Sequence, residues 1–127
     1  MKRGDVIFWP MFRFGSEEAS NKLLVIMGSD QKDNWLMFRT TSKERADRPD
    51  PHGCHADQSV YRFKDNLSKF DVPTWVQFEM EILRERREIE NAGCQVKFSL
   101  THEEIRAIIN CYKKSPEVAS WIAAYMA

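Results

Sequence analysis

The stretch LLVIM, Leu23 to Met27, is five apolar residues in a row, preceded by the polar segment Gly15 to Lys22 and bounded by Gly28. Such a run falls far short of the about 20 residues needed to cross a bilayer and suits a strand buried on both faces. Gly28 to Asn34 then supplies Gly, Ser, two Asp and Asn, so the chain is expected to turn back into Trp35 to Thr41 as a hairpin.

Other strands follow by the same signals. Val6 to Phe8 reads as a first strand ending near Pro10, whose ring nitrogen has no proton for a ladder. Val60 to Lys64 alternates as VYRFK and Thr74 to Met80 as TWVQFEM, each offering one buried face, with Asp65 to Pro73 between them. Gln95 to Ser99 returns as a last short strand after Gly93. Glu81 to Asn91 suits either a charged helix or a twisted extension of the preceding strand, and the reading leans to a short helix or irregular excursion. The charged segment 42–58, with two prolines, is expected to be a long surface loop.

The C-terminal segment is helical by clearer signs. Thr101 and Glu104 form a capping-box pattern flanked by Leu100 and Ile105. Ile105, Ile108, Ile109 and Tyr112 then fall on one face, so a helix is predicted over 102–113. Ser115-Pro116 is expected to start a second helix, with Val118, Trp121, Ile122 and Tyr125 as its stripe. The fold class expected is α+β: a small, strongly bent antiparallel sheet of five or six strands in residues 1–100, with two helices in 101–127 packed on it.

At 127 residues and 43% hydrophobic side chains the chain has material for one core, and a single domain is expected. Nineteen basic and nineteen acidic residues cancel, so nucleic-acid binding has to come from a local patch. Cys54, Cys94 and Cys111 are odd in number and widely spaced, and no leader pattern opens the chain. A reduced, cytoplasmic setting is the simplest expectation, with no membrane partner.

The order Gly4-Asp5-Val6, then Gly15-Ser16-Glu17-Glu18 leading to a cation before Leu23-Leu24-Val25-Ile26, then Thr40-Thr41-Ser42-Lys43 closing a strand, resembles the PemK/MazF family of toxin components. The stretch THEEIRAII also looks like that family's terminal helix. The resemblance covers roughly the first 45 residues and Val96 to Tyr112. It implies an SH3-like barrel, a homodimer, a cognate antitoxin, and cleavage of single-stranded RNA by general acid and base catalysis with no metal or other cofactor. A catalytically inactive barrel that binds RNA or protein is the alternative.

Carried over residue by residue, the resemblance makes Lys22 the stabiliser of phosphoryl charge and Thr40 a hydrogen-bonding partner of a phosphate oxygen, with Thr41 the alternative one residue on. The family has arginine then proline where this chain has Lys22 and Leu23. An ammonium is a point charge without the planar fork of a guanidinium. Glu17 or Glu18 is the candidate carboxylate base, Glu18 being preferred. Ser16, Phe14, Arg39, Thr41 and Lys43 are the candidate RNA contacts, and Trp9, Phe12 and Phe14 offer stacking platforms. By strand alternation Arg39 and Thr41 share a face opposite Thr40. His52, Cys54, His55 and Asp57 carry ligand-type atoms at short spacing, but a closed zinc site wants two separated pairs, and loop polar groups are the plainer reading. The Arg84 to Arg87 run, interleaved with glutamate, reads as a solvated face.

Overall fold

The computed structural model describes residues 1–42, 51–64 and 69–127. In β2 (Ser20–Ser29) the LLVIM run serves two apolar clusters: Leu24 and Ile26 enter one, Val25 and Met27 the other, and all four are fully buried. β3 (Asn34–Thr41) repeats the division, with Trp35 and Met37 on the first side and Leu36 and Phe38 on the second. The hairpin between them is closed by Asp30. Its carboxylate accepts from the Lys32 and Asn34 amides, the Asn34 side chain and the Tyr125 hydroxyl. Those bonds, the Asn34 amide foremost, hold the Asp30 carboxyl down at about 2.

The remaining strands are β1 (Asp5–Phe12), β4 (Gly53–His55), β5 (Val60–Arg62), β6 (Trp75–Glu85) and β7 (Gln95–Ser99). All pairings are antiparallel, in the order β4-β5-β6-β3-β2-β1-β7. With the helices α1 (Arg86–Asn91), α2 (His102–Lys113) and α3 (Ser120–Tyr125) this is an α+β chain dominated by a seven-stranded sheet. Among the described residues no helix is long and apolar enough to cross a membrane.

Bulges bend the sheet and explain where periodicity misleads. β1 does not stop at Pro10; it runs on to Phe12, because Trp9 to Phe12 spans three residues opposite two in β2, with Met11 at φ 53° absorbing the extra one. In β6 the slip is larger. Met37 to Arg39 on β3 faces Ile82 to Gln77 on β6, an odd surplus that throws Val76 and Phe78 into one cluster and Ile82 into the other. Met80, within that surplus, has φ 58° and stands exposed. Residues 81–91 therefore satisfy both sequence alternatives in turn, strand to Glu85 and helix from Arg86.

The Thr101 box is present as expected: its hydroxyl accepts from the Glu104 amide at 3.2 Å and its amide donates to the Glu104 carboxylate at 3.0 Å. α2 buries Ile108, Cys111 and Tyr112 in the same cluster as Val25 and Phe38. The last helix departs from expectation. Ser115 and Pro116 lie in a turn, and helix begins only at Ser120, burying Ile122 while Val118 and Trp121 stay about half exposed. The segment 42–58, expected as loop, contains β4 and a short 3-10 turn at Ala56–Gln58.

α3 ends against β2 at Gly28. A Cβ on Gly28 would overlap the Tyr125 carbonyl oxygen, which Arg3 holds in place by donating from Nη2 at 3.1 Å while its Nε donates to Met27 O at 2.8 Å. Gly28→Ala should therefore lift the C-terminus off the sheet and destabilise by about 1–3 kcal/mol. An unchanged urea midpoint would show that the contact is not tight.

Candidate functional site

A groove of about 470 Å³ opens where β2 begins and β3 ends, and both Lys22 and Thr40 line it. Thr41 and Ser42 continue the β3 side, and the opposite wall comes from Lys69, Phe70 and Asp71, ahead of β6, and from Phe98 of β7. By alternation Lys22 belongs with Leu24 and Thr40 with Phe38, so the groove takes in residues of both sheet faces at this end.

Within it the Thr40 side chain is 7% exposed, and its hydroxyl donates to the Leu23 carbonyl at 2.7 Å. In that arrangement the Thr40 oxygen has lone pairs to offer but its proton is committed. Lys69 Nζ lies 3.4 Å from the Ser99 carbonyl. Phe70 and Phe98 meet edge to face, their centroids 4.9 Å apart, and both are half-buried. Asp71 is the carboxylate among the described lining residues.

The other residues singled out from sequence gather elsewhere. Arg39 lies over the Phe14 ring at 4.6 Å and faces the Glu17 carboxylate at 3.8 Å, with Met80 Sδ 3.7 Å from its Nη2. None of these four lines the groove. Ser16 and Glu18 are exposed in the β1–β2 connection and do not line it either. Lys43 lies outside the described residues. Trp9 and Phe12 are buried in the cluster around Ile26, which removes them as open platforms.

Cys54 is bonded to Cys111 of α2 in a disulfide, Cα atoms 5.4 Å apart, so it has no thiolate for a metal. The His55 ring nitrogen Nε2 is 2.7 Å from the Pro51 carbonyl. Cys94 is free, and burial pushes its thiol up to about 11, away from nucleophilic form at neutral pH.

No family model matches the chain, and no curated protein matches it. Two ammonium groups, a row of hydroxyls and two aromatic rings in one open groove fit a ligand that joins anionic phosphate to flat, stackable rings. Sequence reasoning missed Lys69, Phe70, Asp71 and Phe98. The first three fall in a segment read only as a connection, and Phe98 in a strand read only as a strand.

Proposed function

We propose that this chain is a PemK/MazF-like toxin component that acts on single-stranded RNA in the groove at Lys22 and Thr40. The observation that carries the reading is the common groove, since a resemblance based on Lys22 and Thr40 requires those two positions, 18 residues apart, to open on one hollow. The antiparallel pairing and the bulges in β1 and β6 support an SH3-like barrel. A homodimer and a cognate antitoxin belong to the same proposal.

RNA transesterification needs a base for the 2′-hydroxyl proton, positive charge beside the phosphoryl oxygens, and an acid for the leaving 5′-oxygen. Lys22 and Lys69 supply charge. Asp71 is the carboxylate that the groove itself offers, in place of Glu18. A second reading, an inactive module that binds RNA without cutting it, is favoured by the committed Thr40 proton and by lysine at position 22.

Incubating purified protein with single-stranded RNA in EDTA, and measuring binding in parallel, tests both. Lys22→Ala should weaken binding several-fold and reduce the slope of log affinity against log salt by about 0.7, the loss of one phosphate contact on a single strand. Lys22→Arg should raise cleavage if a weakened nuclease is correct and leave it at zero if the groove only binds. Absence of RNA binding by the unaltered protein would remove both readings.

A further inference from the structure

The Phe98 ring, at the corner it forms with Phe70, is a nucleobase subsite, we infer, so that the groove grips RNA by stacking on its β7 side and by the charges of Lys22 on β2 and Lys69 on the facing wall. This rests on the RNA reading above and adds to it the element that binds the base. The aromatic residues near the β1–β2 connection do not serve. Phe14 has the Arg39 guanidinium over its face at 4.6 Å, and Trp9 and Phe12 are 7% and 3% exposed. Phe98 is different. Its ring contact among the described residues is Phe70 alone, at an interplanar angle of 84°, and both rings are half-buried at the wall of the groove. Phe98, braced by Phe70 at a right angle, is the ring that offers a flat base a face to stack on.

Phe70 is held in turn by Phe63 at 4.8 Å, and Phe63 by Tyr61 at 5.6 Å. The corner therefore rests on a row of rings that reaches into the core, which fixes its geometry before any ligand arrives. Lys69 and Lys22 line the same groove, so charge for a phosphate and a ring for a base share one hollow. Stacking of this kind tolerates every base, because each has a π face, so the subsite supplies affinity rather than sequence choice.

The test uses a labelled hexa-adenylate with 2′-O-methyl riboses, which cannot be cleaved through the 2′-oxygen, and the corresponding oligomer lacking its bases. Fluorescence anisotropy on the intact protein should show the abasic strand binding at least about tenfold more weakly. Phe98→Leu, which keeps apolar bulk and removes the ring, should lose about tenfold for the adenylate with its salt slope unchanged, and Phe98→Trp should bind as well as or better than the parent. Equal affinity for the two strands overturns the subsite without any variant. Parent-like binding by Phe98→Leu alongside weakening by Lys22→Ala also overturns it, while leaving the groove as an RNA site. Failure of the parent protein to bind either strand overturns the subsite and the RNA reading together.

Discussion

Tyr112→Ala is expected to cost about 3–5 kcal/mol of folding stability, enough to unfold a marginal domain of this size. The ring is fully buried and packs against Phe38 and Phe78 at centroid distances of 5.4 and 5.7 Å. Its hydroxyl has a second task. It donates to the Glu117 carbonyl at 3.0 Å and accepts from the Ala119 amide at 2.9 Å, binding the turn after α2 back onto the helix that precedes it. Tyr112→Phe separates the two roles. It keeps the packing and leaves a part-buried carbonyl and amide without that partner, for a loss of about 1–3 kcal/mol. Urea denaturation of the two variants measures both figures, and a Phe variant as stable as the parent would mean that water replaces the hydroxyl at no cost.

Reducing the Cys54–Cys111 bond should cost about 4 kcal/mol, because it joins residues 57 apart in sequence and so removes much of the freedom of the unfolded chain. Cys111 is buried in α2 whereas Cys54 is exposed on β4. Cys54→Ser therefore tests the cross-link with little disturbance of packing. Its midpoint in urea should match that of the reduced parent, and the reduced forms should unfold with a steeper denaturant dependence, since their unfolded chains expand further. Coincident curves with and without reductant would show that the bond adds nothing, and that β4 and α2 hold their places by packing alone.

How much of this was legible in the sequence follows physical lines. The double-faced burial of LLVIM, the Asp- and Asn-rich reversal after Gly28 and the Thr101 capping box are all local patterns, and each appears as read. What escaped depends on pairing between distant segments. Surplus residues in β1 and β6 show only in the pairing with a distant strand, so the continuation through Pro10 and the length of β6 were hidden. Cys54 meets Cys111 because β5 carries β4 alongside α2, which no spacing of cysteines encodes. For the groove, Lys22 and Thr40, which both line it, were singled out through ordered motifs, whereas Lys69, Phe70, Asp71 and Phe98 opposite them belong to no local pattern and come together only where the sheet ends. Glu17 was expected beside Lys22 but sits with Arg39, the nearer cation once β3 is in place.

β6 changes phase at its bulge: Phe78 sits in the layer under α2 and Ile82, four residues on, in the layer beneath α1. Both layers draw on the same four strands, β1, β2, β3 and β6. Backbone amides on both sides of the sheet are thus tied to a shared opening event, and the molecule has no seam along which one half would melt while the other persists.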